Sequence, residues 1–232
     1  MRCGNRPFSL RLSMVALFSA LNVLGDSIPL TPIVGLEQSR LTLGWTFASL
    51  TGLMLGPLMG SLTCFLASLV ELFIGFQAQL PLGPLGLTRS SLAALQTGLL
   101  TTRRWILSGV ILSLLIVCWI LTPQGRGAIP VLAFHILGLI LILAFRREMS
   151  DALESGSRKR VGFAVGIAAY CGNISRHLFG NLLFTLFASF PTTIFLAAMP
   201  LTLIEQVFFA STSAILGTSL ILIGLRRFTY LG

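Results

Sequence analysis

Charged residues are scarce in this sequence. They make up 10% of its 232 residues, whereas about a quarter of the residues in a soluble domain are charged. Hydrophobic residues make up 55%, and the mean hydropathy is +0.92. So little charge is typical of a chain whose surface faces lipid. We therefore predict a multi-pass protein of the cell membrane, with an all-α fold built as a polytopic bundle of transmembrane helices.

Acidic residues and lysine are rarer still. The chain has seven acidic residues, Lys159 is its single lysine, and its net charge of +9 comes almost entirely from arginine. In polytopic proteins a basic excess reflects cytoplasmic loops and contacts with lipid headgroups. Because the sequence has no soluble basic domain, we exclude nucleic acid as a partner and expect membrane lipid instead.

The motifs that usually carry catalysis are missing. The sequence has no G-x-x-x-x-G-K-[ST], H-E-x-x-H or G-x-S-x-G pattern, and no cluster of carboxylates with histidines. Its four cysteines, Cys3, Cys64, Cys118 and Cys171, have no CxxC or histidine-rich spacing. We expect no enzyme activity, cofactor, metal site or disulfide framework, so any ATP hydrolysis has to come from another subunit.

Eight hydrophobic segments are present, and four of them are firm by length and polarity. The candidates are 12–25, 43–56, 57–76, 85–100, 105–121, 129–145, 161–189 and 195–225. Segment 85–100 is the weakest, because Arg89 and Gln96 interrupt it. The firm segments are 57–76, 105–121, 161–189 and 195–225.

The basic residues decide whether the weak segment crosses. Five of them lie in loop 146–160, and others lie at the N-terminus and at Arg226 and Arg227. The positive-inside rule places all these regions in the cytoplasm, which requires an even number of crossings before residue 146. Counting 85–100 gives six, and it also places Arg103 and Arg104 inside. We therefore predict eight crossings with both termini cytoplasmic.

Polar residues cluster in segment 161–189. Asn173, Arg176, His177 and Asn181 are spaced i, i+3, i+4 and i+8, so on a helix they share one face. An ionisable group inside a bilayer is costly and persists where it faces a cavity, a partner or a ligand. At a rise of about 1.5 Å per residue, this cluster lies at a depth similar to that of Glu205.

These groups support two readings. In the first they line an outward-facing substrate pocket, to which His135 and Glu71 also contribute because both fall in the outer half of their helices. In the second an Arg176–Glu205 ion pair clamps two helices, since buried charges tend to pair. For His135 taken alone, a hydrogen bond that packs two helices would also explain a histidine in this hydrophobic segment. Loop 26–42, on the outer side, is either a lid or a connector.

The first helix carries a face of small residues, Ser13, Ala16 and Ala20. Such faces allow close helix contact. In its A-x-x-x-A face, the first helix resembles the first helix of the S-components of energy-coupling factor (ECF) transporters. Segment 53–60, with its Gly-Pro turn, and the small residues that follow it are also similar to that family. So is a final helical pair with polar residues in its outer half, here 173–181 and Glu205.

The resemblance implies a membrane-embedded, substrate-binding subunit for uptake of a vitamin or related micronutrient. Ala16 and Ala20 would dock on a transmembrane coupling subunit, and two ATP-binding cassette ATPases would drive transport. S-components have six helices, so the chain is interpreted as a single domain with a core of 12–104 and 161–225 and an inserted hairpin, 105–145. The alternative is a non-transporting structural subunit of a larger membrane complex.

Overall fold

A computed structural model describes residues 8–75 and 82–224, and in residues 8 and 36–39 it describes the backbone alone. The fold is mostly helical. The described residues form ten α-helices: α1 Phe8–Asp26, α2 Gly44–Leu55, α3 Pro57–Phe73, α4 Arg89–Thr101, α5 Trp105–Leu121, α6 Pro123–Gly127, α7 Leu132–Ala144, α8 Glu148–Glu154, α9 Arg158–Leu183 and α10 Thr192–Leu222. Cys3, Arg226, Arg227 and the two N-terminal arginines Arg2 and Arg6 lie outside the described part.

Each of the eight predicted segments coincides with one long helix, so the hydrophobic runs located these helices correctly. The two short helices, α6 and α8, were not predicted. The predicted Gly-Pro turn is also present: Gly56, with φ +80°, ends α2, and Pro57 is the first residue of α3. Glycine accepts this left-handed φ, and proline needs no hydrogen-bond acceptor at a helix start.

The membrane crossings remain a prediction. By length and hydropathy, α10 is the one helix in the described ranges that could cross a bilayer alone. Ile129–Ala144 and Glu148–Glu154 would qualify as a second span if counted together, although they are bent by 69°. Helix α2 has 12 residues, a rise of about 18 Å. This helix is therefore shorter than a hydrocarbon core, which is about 30 Å thick.

A β-hairpin occupies the region predicted as an outer loop. Strands β1 (Pro29–Ile33) and β2 (Leu36–Thr42) pair antiparallel, with Ile33 opposite Leu36. Gly35 has φ +86°, which glycine adopts without steric cost, and it completes the two-residue turn. A methyl group on Gly35 would lie 2.9 Å from Cδ1 of Ile194. The tip of the hairpin therefore packs directly on the start of α10.

The helices divide into an inner and an outer group. Most residues of α2, α4 and α9 are buried. Helices α1, α3, α5, α7 and α10 lie around them and expose large hydrophobic side chains. Within the bundle, Gln96 on α4 donates to Ser175 on α9 at 3.1 Å. Buried polar side chains together with many exposed large apolar ones depart from the usual pattern of a soluble protein, although the core itself contains many hydrophobic residues.

Glycines let the inner helices touch. A methyl group on Gly52 of α2 would lie 2.0 Å from the carbonyl oxygen of Ala94 on α4. On α9, a methyl group on Gly172 would lie 2.3 Å from Oγ1 of Thr97. Close backbone approach through small residues is the usual way in which membrane helices pack. It fixes α4 against both of its neighbours.

The bundle has two distinct ends. At one end, which we call the basic end, Arg103 forms an ion pair with Asp151 at 2.6 Å. Met14 and Phe18 of α1 belong there to one hydrophobic cluster with Leu153 of α8. The opposite end, which we call the hairpin end, contains the β-hairpin and the α9–α10 connection. Two of the regions predicted to be cytoplasmic, the loop at Arg103 and loop 146–160, thus lie together at the basic end.

The predicted inserted hairpin, 105–145, packs against the core. Helix α7 contacts α9 through a hydrogen bond from the Tyr170 hydroxyl to the carbonyl oxygen of Phe134 at 2.9 Å. A second link joins the rings of His135 and His177, described below. Trp119 of α5 is fully buried and meets Phe195 of α10 edge to face at 5.0 Å. The helical hairpin 105–145 therefore supports both α9 and α10.

Candidate functional site: a roofed cavity at the hairpin end

A cavity opens between α9, α10 and the β-hairpin. It has a volume of about 70 Å³, several times the space that one water molecule needs. The hairpin forms its roof through Pro32, Ile33 and Val34. Much of its wall is aromatic, with Trp45 on α2 and Phe184, Phe190 and Phe195 around the α9–α10 connection.

The irregular connection between α9 and α10 shapes the aromatic wall. Helix α9 passes into a π-helical turn, Phe184–Ala188, which ends where Ser189 adopts a left-handed φ of +49°. The chain reverses there, and the rings of Phe184 and Phe190 stack at 5.0 Å with an angle of 6° between their planes. Two rings stacked on each other thus lie at the cavity.

Three of the predicted site residues line the cavity: His177, Asn181 and Glu205. Glu205 accepts a hydrogen bond from Thr31 of the hairpin at 2.6 Å. His177 is within hydrogen-bond distance of Thr202 through Nε2, at 3.5 Å. The carboxylate, imidazole and amide can all accept hydrogen bonds, and the amide also donates. The cavity therefore offers polar contacts at a mainly apolar surface.

Four other predicted residues are buried and do not line the cavity. Asn173 faces α2, where it accepts from the Ser49 hydroxyl at 3.1 Å. Arg176 is 3% exposed and lies with its guanidinium carbon 4.4 Å from the centre of the Trp45 ring. Glu71 is buried on α3, and His135 is fully buried on α7.

The predicted helix face is split because α9 touches two neighbours. Successive residues on a helix are 100° apart, so Arg176 turns towards α2 while His177 turns towards α10. The Arg176–Glu205 ion pair considered from the sequence is not formed. Within residues 8–75 and 82–224 the structure has one ion pair, Arg103–Asp151. Arg176 meets an aromatic ring instead, a cation–π contact.

His135 reaches the site through another residue. Its Nε2 lies 3.4 Å from Nδ1 of His177, and the two rings stack at 5.5 Å. Its Nδ1 lies 2.9 Å from the carbonyl oxygen of Val131. If Nδ1 donates to that carbonyl, Nε2 accepts from His177, and His177 then presents an accepting Nε2 towards Thr202. The hairpin 105–145 thereby orients a residue of the cavity wall.

Arg89 is the site residue that sequence reasoning missed. It appeared only as an interruption of a weak segment, yet it lines the cavity and is 7% exposed. Its Nε has no hydrogen-bond partner among the described residues. An arginine in a hydrophobic segment without a nearby acidic residue was the signal that could have found it.

Comparisons with known proteins identify one relative of similar sequence. The chain is 28% identical over 161 residues to uncharacterized protein MJ0923 of Methanocaldococcus jannaschii. The alignment covers 69% of this chain and 54% of the relative, so the chain spans about half the length of that protein. No family model matches the chain. No solved structure matches it either.

Proposed function

We propose that this protein is the membrane-embedded, solute-binding subunit of an uptake transporter of the ECF S-component type. The observation that carries the proposal is the roofed cavity at the hairpin end. It combines aromatic walls with His177, Asn181, Glu205 and a buried arginine, Arg89. Apolar sites with a few converging polar groups are typical of small-molecule binding.

The distribution of side chains supports a location in the cell membrane. The outer helices expose residues such as Leu62, Leu114, Ile140 and Ile204, while polar residues such as Gln96 are buried. Soluble monomers rarely expose large apolar patches. In this proposal the chain crosses the membrane several times, with the basic end cytoplasmic and the cavity open to the outside.

The first helix supports the existence of a partner. Ala16 and Ala20 are exposed, as are Leu17 and Leu24 on the same helix, whereas Met14 and Phe18 are buried. By its resemblance to S-components, this face would dock on a transmembrane coupling subunit that is served by two ATP-binding cassette ATPases. The subunit itself would act as a binding protein and not as an enzyme.

The same exposed face favours the alternative, a non-transporting structural subunit of a membrane complex. A bound solute separates the two functions. The full chain, purified in mild detergent from the membrane fraction, should show by native mass spectrometry a mass increment that disappears on unfolding. Ala16→Trp and Ala20→Trp should release the partner and keep this increment. A partner that is retained without any bound solute would support the structural subunit.

Orientation is tested by cysteine labelling in intact cells. Ser155 lies at the basic end and Arg126 at the hairpin end, and both are exposed. In a background without the native exposed cysteines, an impermeant maleimide should label Arg126→Cys and not Ser155→Cys. Labelling of Ser155→Cys from outside would contradict the proposed topology.

A further inference from the structure

Arg89 carries a buried positive charge that forms no ion pair within the described ranges, and Asp26 attracts it only from beyond ion-pair distance. It is the first residue of α4, it is 7% exposed, and it lines the cavity. Its guanidinium carbon lies 5.7 Å from the centre of the Trp45 ring, whereas that of Arg176 lies 4.4 Å from the same ring. A buried charge without a counter-ion is costly, so it is usually paired with another group.

The carboxylate in the same cavity is already bound. Glu205 lines the cavity but accepts the Thr31 hydroxyl at 2.6 Å, and it forms no ion pair with Arg89 within the described ranges. The cavity thus keeps a cation and an anion apart. A ligand that spans them can bring its own anionic group to Arg89 and a hydrogen-bond donor to Glu205.

Gly180 keeps the space around the guanidinium open. A methyl group at Gly180 would lie 3.2 Å from Nε and 3.3 Å from Nη2 of Arg89, a tight contact. Arginine has a planar fork of donors that fits the two oxygens of a carboxylate. A glycine on α9 therefore lets Arg89 present this fork beside the cavity without crowding.

The walls indicate the shape of the ligand body. Phe184 and Phe190 are parallel within 6° and stand at the cavity, close to the roof formed by Ile33. Flat aromatic walls favour planar rings, which stack or meet edge to face with their neighbours. We propose that Arg89 is the anion-binding residue and that the solute is a small carboxylate with a planar, largely apolar ring.

This inference rests on the proposed solute-binding function. The experiment compares the wild-type full chain with Arg89→Gln, Arg89→Lys and the control Arg126→Gln, an exposed arginine outside the cavity. Small molecules released by denaturing each purified protein are identified by mass spectrometry. The same proteins are melted with indole-3-acetate and with its neutral isostere indole-3-acetamide.

The expected solute is a ring carboxylate, present in wild type and in Arg126→Gln. Arg89→Gln should weaken its binding about 10- to 100-fold, which corresponds to the loss of one charge-assisted hydrogen-bonded pair. The affinity of Arg89→Lys should lie between those of the wild type and Arg89→Gln, because lysine keeps the positive charge but lacks the planar fork of donors. The acid should raise the melting temperature of the wild type more than the amide does.

Folding is controlled by the ligand-free melting temperature. Removing an unpaired buried cation should leave that temperature of Arg89→Gln unchanged or higher, whereas a structural role for Arg89 would lower it. A released solute without a carboxylate, equal binding by Arg89→Gln, or a lowered ligand-free melting temperature would overturn this inference alone. The absence of any released solute together with no shift by either probe would overturn the proposed binding function as well.

Discussion

Helices α4 and α9 run antiparallel and meet in two different ways along their length. In the middle of the bundle their backbones are in contact, because Gly172 has no room for a methyl group beside Thr97 and Ala93. Two turns further along, towards the hairpin end, Gly180 faces Arg89 and the two helices border an open cavity. We call the first region the seam and the second the cavity.

The difference shows that one pair of helices can pack tightly in one region and leave space for a ligand in another. In the seam, polar groups satisfy one another, as Gln96 does with Ser108 and Ser175. At the cavity, Nε of Arg89 has no hydrogen-bond partner among the described residues. Tight packing in the seam supports the position of Arg89, a charged group that forms no ion pair among the described residues.

The largest effect is expected in the seam. Gly172→Ala places a methyl group 2.3 Å from Oγ1 of Thr97 and 2.8 Å from the carbonyl oxygen of Ala93. The backbone cannot yield without separating α4 from α9, so the free energy of unfolding should fall by about 3 kcal/mol. Denaturant unfolding of the purified protein measures it.

The matched control for the seam is Gly109→Ala on α5. Its methyl group would find its nearest neighbour at 3.8 Å, an ordinary contact. Alanine has the higher helix propensity, so this variant should be neutral or more stable by up to about 1 kcal/mol. Equal losses in both variants would mean that the seam is no tighter than the outer helices.

A smaller effect is expected where the extra hairpin supports the cavity wall. His135→Leu removes the partner that lies 3.4 Å from Nδ1 of His177 and leaves that nitrogen buried. The loss of stability should be about 1–3 kcal/mol. Binding of the released solute should also weaken, since His177 lines the cavity.

Leu137→Val, at an exposed position on the same helix, serves as the control and should change neither quantity. Thermal unfolding and solute titration together provide the test. If His135→Leu lowered stability with full solute affinity, His135 would be a packing residue only and the link from the hairpin to the cavity would fail.

A substitution in the roof should lower the free energy of unfolding by about 1–2 kcal/mol. Thr31→Val keeps the shape of the side chain but removes its hydrogen bond to Glu205, which joins the β-hairpin to α10. Amide hydrogen exchange in β1 and β2 should become faster, while exchange in α4 and α9 should not change. Thr212→Val, on the exposed face of α10, is the control. Unchanged exchange in the hairpin would show that packing by the tip alone holds the roof closed.

The smallest effect is expected outside both regions. Arg103 and Asp151 form an ion pair at the basic end, but their side chains are 65% and 57% exposed. Solvent-exposed pairs contribute little, so Arg103→Gln should change the free energy of unfolding by less than about 1 kcal/mol. A larger loss in the same unfolding assay would mean that the basic end has a structural role comparable to that of the cavity.

Hydrophobic runs predicted the long helices well because each of these helices carries apolar residues along its whole length. Segment 85–100 shows the strength of this signal, since α4 forms there despite Arg89 and Gln96. The β-hairpin was missed because Pro29 and Pro32 favoured a loop, although Gly35 supplied a turn signal. Its second strand pairs with the first, and its tip is held by α10, a contact distant in sequence.

The sequence by itself determined the eight longer helices, the Gly-Pro turn between α2 and α3, and the presence of polar groups in the last third of the chain. It placed Arg176 and His177 on one face, but that face is wide enough to meet two neighbours. Tertiary structure alone decided that Arg176 packs on Trp45 and that His177 pairs with His135. It also decided that Arg89, from a distant helix, reaches the cavity. The physical reason is that helical periodicity fixes the direction of a side chain on its own helix, while the packing of other helices determines what that side chain meets.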